Sequence, residues 1–230
     1  MSPWNHVPGA LAEIEAELAP EYPTLHAVEL DGHVRVRGSF PVRDGAQVLT
    51  WFQIDVALPP DFPRALPVVW ETGGRIPRVA ERHINSPGDG SACVVLPESF
   101  WLAQDEGEVS LLAFLRGPVH NYFLGQALVE LGEPWPFGEW GHGVAGVREH
   151  YGQLLGTSAP ARVMELLRYA LSPAKGHWPC PCGQPRRLRS CHGELVRTLK
   201  ERVPITIIRQ GLRRLETETR GPVVPANQSL

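Results

Sequence analysis

Lysine is nearly missing from this chain: only Lys175 and Lys200 occur among its 22 basic residues, and the other twenty are arginine. Cysteine is sparse too, at four residues. Three of them, Cys180, Cys182 and Cys191, crowd into one short segment, while Cys93 stands alone. In a reducing compartment, crowded cysteines are metal ligands more often than disulfide partners. No apolar run approaches the roughly 18–20 residues that cross a bilayer, so nothing marks a membrane span. The first residues carry neither a basic segment nor an apolar stretch behind it, so no signal peptide is expected and the cytoplasm is the expected address. Internal repeats, low-complexity blocks and a phosphate-cradling glycine fingerprint are all lacking.

What is present fits a soluble globular protein: 230 residues, 43% hydrophobic and 20% charged. That length supports one good core, or one domain with a small appendage. Net charge is only −3, but it is unevenly spread. Residues 1–175 hold 12 Lys/Arg against 21 Asp/Glu, and residues 176–230 hold 10 against 4. A basic appendage on an acidic body follows, with a boundary near Lys175-Gly176. The expected division is a main domain over 1–175, a small cysteine-bearing module with a helix over 176–216, and a disordered tail over 217–230.

The periodicities predict an α+β fold. Leu11, Ile14 and Leu18 share one helical face, and Pro20 ends that helix by lacking a donor for the next bond. Four strands follow: Leu25 to Leu30, a second carrying Val34 and Val36 against Arg35 and Arg37, a third over Gln47 to Leu58, and Pro67 to Glu71. Asp31-Gly32 and Asp44-Gly45 are hairpin signals, so the strands form an antiparallel meander. Residues 71–101 read as irregular. Ser110 caps a helix that Pro118 shortens or kinks. Further helices are expected over Val144 to Leu155 and from Pro160, followed by segments around Leu195–Val203 and Ile207–Leu212, separated by Pro204.

The chemistry-bearing stretch is His83-Ile84-Asn85-Ser86-Pro87-Gly88-Asp89-Gly90-Ser91-Ala92-Cys93, with Trp101 behind it. It puts a thiol at the end of a glycine-rich loop fed by strands. This pattern resembles the ubiquitin-conjugating enzyme (UBC-like) family, in which a His-Pro-Asn triplet leads into a loop ending at the catalytic cysteine and a tryptophan follows. Ile84 stands where the family has proline. Gly90-Ser91-Ala92-Cys93 is similar to the family's Gly-Ser-x-Cys, and Phe62-Pro63 through Pro67 to its proline-bearing stretch between strands. The resemblance spans roughly residues 8–155.

It implies a UBC-like fold and a protein C-terminus carried as a thioester on Cys93, then handed to an amine. A thiol suits this, because its free pKa of about 8.5 leaves some thiolate at neutral pH and a thioester is reactive toward amines. Asn85 is implied as a donor to the developing oxyanion, or equally as a brace for the loop. His83 is implied as loop support, and Trp101 as a core or loop-supporting ring. Asp89 and Ser91 are explained by turn chemistry. His120, Asn121 and Tyr122 form a polar trio without an assigned role. The lysine scarcity reads as genome composition, or as protection from a thioester that would modify nearby amines.

Trp178-Pro179-Cys180-Pro181-Cys182-Gly183, closed by Cys191-His192-Gly193, resembles the SEC-C motif, a small zinc-binding module. Three thiolates and one imidazole, from Cys180, Cys182, Cys191 and His192, complete a tetrahedral shell, so Zn2+ is expected there in a structural role. Arg186, Arg187 and Arg189 on the module favour an acidic protein partner over nucleic acid, since no aromatics interleave with them. The pairing of the two resemblances points to a bacterial conjugating enzyme of anti-phage operons such as CBASS. Its expected partners are a ubiquitin-like modifier or a nucleotidyltransferase C-terminus, a separate activating enzyme if the thioester is made by an adenylate route, and a protein acceptor. The alternatives are a UBC-like binding scaffold in which Cys93 is incidental, and a thiol hydrolase using Cys93 with His83.

Overall fold

The computed structural model describes residues 9–85, 88–103, 109–138 and 144–220. The expected α+β class is what it shows, with a four-stranded antiparallel sheet and several helices. Its contacts divide into two compact units. One holds the described residues up to Val95 together with 109–138, and the other holds 96–103 and 144–220. This division is one of packing, and it falls elsewhere than the charge boundary at residue 175. The helices of residues 144–171 share a hydrophobic core with the Cys/His segment.

The first unit opens with α1 (Ala10–Leu18). The meander β1 (Leu25–Leu30), β2 (His33–Asp44), β3 (Gln47–Ala57) and β4 (Val68–Glu71) follows, and its spatial order is its chain order. Val36 faces Val56 and Phe40 faces Phe52 across β2 and β3. Alternation then sends Val34, Val36, Phe40, Phe52, Ile54 and Val56 to one side, where all are buried. The arginines of the other face share Asp55, at 2.7 Å from Arg35 and 3.1 Å from Arg37. Gly38 is required by a close approach, because a Cβ there would lie 2.0 Å from the backbone oxygen of Thr24.

The helical layer of this unit is α3 (Leu111–Phe114) and α4 (His120–Glu130), joined through a π turn over Leu115–Val119. Ser110 caps α3 by accepting from the Ala113 N–H at 3.1 Å. The kink expected at Pro118 is thus a widened turn: proline has no N–H to keep the regular ladder, and the chain stays helical through it. Phe123 of α4 packs on Phe52 at 4.9 Å between ring centroids, seating the helix on the sheet.

The second unit contains α2 (Pro97–Ala103), α5 (Val144–Leu155), α6 (Pro160–Leu171), α7 (Gly193–Arg202) and α8 (Ile205–Arg220). Trp101 lies on α2, where an irregular stretch was expected, and packs against this unit's core. The last helix continues past residue 216 to Arg220. The rest of the expected tail, 221–230, lies outside the described residues. Pro204 separates α7 from α8 as the sequence predicts.

Glu98 of α2 is 2% exposed, and its Oε2 has no partner among the described residues. Burial raises its carboxyl above the ordinary value of 4.5, while Arg214 pulls the other way. A carboxyl whose folded-state pKa is raised contributes stability below its unfolded pKa and loses it as pH climbs through the folded value. The second unit is therefore expected to weaken from about pH 4.5 upward. Glu98→Gln should flatten that slope and add about 1 kcal/mol near neutral pH. Thermal melts of both proteins from pH 4 to 8 check this, and parallel curves would refute it.

Candidate functional site

The loop of residues 83–93 folds as a miniature hairpin. Ile84 and Ala92 form an antiparallel bridge, and both are buried. The Asn85 N–H donates to the Ser91 carbonyl at 2.9 Å, and the Cys93 N–H to the His83 carbonyl at 2.8 Å. The returning arm is tied to the sheet, since the Ala92 N–H donates to the Val69 carbonyl of β4 at 2.7 Å. Gly90 takes φ 73°, a left-handed conformation that glycine adopts without steric cost. Ser86 and Pro87, at the tip, lie outside the described residues. A β-branched residue at 84 serves this bridge well, because it pairs with Ala92 and buries its side chain.

This anchoring delivers Cys93 to the surface. Its thiol is exposed and donates to Asn85 Oδ1 at 3.1 Å. Asn85 Nδ2 donates to Ser91 Oγ at 2.7 Å, and Ser91 Oγ donates to Asp89 Oδ1 at 2.6 Å. Asp89 also accepts the Ser91 N–H at 3.0 Å. The Ser91 hydroxyl and N–H together hold the Asp89 carboxyl below its ordinary range. Cys93 and Asn85 are thus brought together as the sequence predicts, and Ser91 and Asp89 extend the same line of contacts.

A clamp from α4 supports the hairpin from below. Gln126, fully buried, accepts from Arg82 Nε at 2.7 Å and donates Nε2 to the Arg82 carbonyl at 2.6 Å. Tyr122 donates its hydroxyl to the same carbonyl at 3.2 Å. Burial first, and then the nearness of Cys93, push the Tyr122 phenol far above its ordinary pKa, so it stays a donor. His83 takes the left-handed conformation at φ 50°, and its ring lies 4.2 Å from that of Trp135 between centroids. Gly125 makes room for that tryptophan, because a Cβ there would meet the Trp135 ring at 2.5 Å. Of the polar trio, only Tyr122 is seen to belong to this site. His120 is hydrogen-bonded to the Arg43 backbone instead.

In the second unit, Cys180, Cys182, Cys191 and His192 converge, their ligand atoms all within 4.8 Å of one another. Cys182 Sγ lies 3.6 Å from Cys191 Sγ, and His192 Nδ1 lies 3.2 Å from Cys180 Sγ and 3.3 Å from Cys191 Sγ. A tetrahedron with Zn–S bonds of about 2.3 Å has S···S edges of about 3.8 Å, so the donor set fits a metal ion. Desolvation and the thiols of Cys180 and Cys182 push the Cys191 thiol up to about 11. Thiols this close cannot all ionise together without a cation among them. Backbone bonds hold the loop's two arms: the Cys180 N–H donates to the Arg186 carbonyl at 3.0 Å and the Leu188 N–H to the Trp178 carbonyl at 2.8 Å. Cys180 and Leu188 are buried in the unit's hydrophobic core.

The Gln126 clamp escaped the sequence reading. Its only trace there is a glutamine at a helical position flanked by apolar residues. Among the described residues, no helix is long and apolar enough to cross a membrane. Comparison with family models, with curated proteins and with solved structures finds no match to this chain.

Proposed function

We propose that this chain is a ubiquitin-conjugating-like enzyme, which carries the C-terminal acyl group of another protein as a thioester on Cys93 and passes it to an amine. The observation that carries the reading is a solvent-exposed thiol held 3.1 Å from a side-chain amide, on a hairpin hung from an antiparallel meander. In the first step, the Cys93 thiolate attacks an activated acyl carbon, the bond to the activating group breaks, and a thioester forms. In the second, an amine attacks that carbonyl, the oxyanion develops and collapses, and the C–S bond breaks to return the thiolate. The amine's surplus proton leaves to solvent. In this reading Asn85 donates to the oxyanion through Nδ2 once its amide has turned, since with the free thiol it is Oδ1 that faces the sulfur, and His83, Gln126 and Tyr122 keep the loop in place.

In this reading the fold of the first unit is UBC-like, and the Cys/His centre is a structural zinc site of the SEC-C kind. Three thiolates and an imidazole select zinc and leave no open position for catalysis. The exposed Arg186, Arg187 and Arg189 beside it suit an acidic protein face. The donor is a ubiquitin-like modifier or a nucleotidyltransferase C-terminus, loaded by a separate activating enzyme in bacterial anti-phage defence of the CBASS kind.

Co-expression with a modifier and activating enzyme encoded beside it, followed by intact-mass analysis, tests this reading. Wild type is expected to carry a hydroxylamine-labile adduct, Cys93→Ser a stable ester and Cys93→Ala none. An adduct indifferent to residue 93 would overturn the proposal. So would turnover of a ubiquitin-like substrate by the isolated protein, which is hydrolase behaviour.

A further inference from the structure

The contacts around Cys93 form a one-way line of donors: thiol to Asn85 Oδ1, Asn85 Nδ2 to Ser91 Oγ, Ser91 Oγ to Asp89 Oδ1. A hydroxyl has a single proton, and an ionised carboxylate can only accept. Once Asp89 takes that proton, Ser91 Oγ can only accept from Asn85. The amide must then turn its NH2 toward Ser91 and its oxygen toward the sulfur. In this state Asn85 faces Cys93 as an acceptor, the wrong polarity for binding an oxyanion.

We propose that Ser91 and Asp89 are positioning residues that form a two-state rotor for the Asn85 amide, set by whether Cys93 carries a proton or an acyl group. This rests on the thioester reading above. With a free thiol, the S–H donates to Oδ1 and the amide is held turned away. Acylation removes that proton, so Oδ1 loses its donor. A half-turn of the amide then aims Nδ2 at the thioester carbonyl, and the Ser91 hydroxyl swings to donate to Oδ1. Asp89 keeps the Ser91 N–H throughout, so its carboxylate is not left unpaired. Ser91 is an acceptor in one state and a donor in the other, and only a hydroxyl can do both. Ser91 is 4% exposed, which leaves water little access to substitute for it.

The rotor is tested on the full chain, with two readouts. The first is NMR of protein labelled at its four asparagines, with the Asn85 side-chain signal assigned through Asn85→Ala. Capping the thiol with methyl methanethiolsulfonate removes the S–H. In wild type and Ser91→Thr, capping is expected to move the Asn85 amide pair to a second, ordered position. In Ser91→Ala both the free and the capped protein should show the fast solvent exchange of an unheld amide. The second readout is discharge of preformed Cys93 thioester to an amine, expected to slow about tenfold in Ser91→Ala, one hydrogen bond's worth, and to recover in Ser91→Thr. Asp89 supplies an opposite sign. Asp89→Ala frees the serine proton for Oδ1 and turns the NH2 toward the sulfur, so iodoacetamide should alkylate Cys93 several-fold faster than in Asp89→Asn, which is neutral but still accepts. An Asn85 signal indifferent to capping and to Ser91→Ala would overturn the rotor. So would equal alkylation in the two Asp89 variants. Failure of wild type to charge at all would sink the thioester reading instead, and the NMR and alkylation arms would still judge the rotor.

Discussion

With the proposed metal bound at Cys180, Cys182, Cys191 and His192, stripping it is expected to unfold the segment that holds them and to loosen the helices packed on it. Binding at a structural Cys/His centre contributes about 10–16 kcal/mol of apparent free energy near neutral pH, more than a whole domain's typical stability. Here that energy reaches beyond the loop. Cys180 and Leu188 belong to the same buried cluster as Val196 and Leu199 of α7 and Leu166 and Leu167 of α6. Freed thiols at 3.2–3.6 Å from their neighbours would relax apart, and the cluster would lose one wall. Elemental analysis should find one zinc per chain. A strong chelator, or Cys180→Ser, should lower helical ellipticity and abolish the cooperative melt of the second unit. A metal-free protein that kept both would show the centre to be ornamental to the fold.

Replacing Asn85 by alanine is expected to separate the two half-reactions. Loss of a side-chain donor to an oxyanion costs roughly 3–4 kcal/mol in barrier, about 10²–10³-fold in rate. The hairpin should survive, because two main-chain bonds remain at this position when the side-chain ones are lost: Asn85 N–H to the Ser91 carbonyl at 2.9 Å and Gly90 N–H to the Asn85 carbonyl at 3.2 Å. Under the thioester proposal, charging of Cys93 by an activating enzyme should change little. Discharge of preformed thioester to an amine should fall by the full factor. Single-turnover discharge assays, run beside a thermal melt, distinguish this from general damage. If charging and discharge fell together with the melting temperature, Asn85 would be a brace and nothing more.

Both sites announce themselves in the primary structure to different degrees. The Cys/His centre is local: its ligands fall within thirteen residues of chain, and a loop that short can bring them together only in a few ways. The meander was equally legible. Asp31-Gly32 forms its first turn, Asp44-Gly45 falls one residue ahead of the second at Gly45-Ala46, and alternation in Val34–Val36 and Phe52–Val56 assigns the faces. The helix over Pro97–Ala103 was not, because a seven-residue helix is too short to display a period. Its packing against the second unit's core is a long-range fact that no window of sequence contains.

By itself, the chain's order of residues determined the α+β class and the strand order, and it singled out Cys180, Cys182, Cys191 and His192 as a donor set and Cys93 as the lone thiol. These follow from periodicity, turn chemistry and close spacing, which act over a few residues. The tertiary structure alone decided that the Cys93 sulfur is open to solvent, that Gln126 and Tyr122 grip Arg82 beneath it, and that the Asn85 amide points its oxygen at the thiol. Those outcomes depend on where α4 rests against the sheet and on which hydroxyl has its proton already engaged. Donor and acceptor direction is a property of assembled neighbours, so residue spacing cannot encode it.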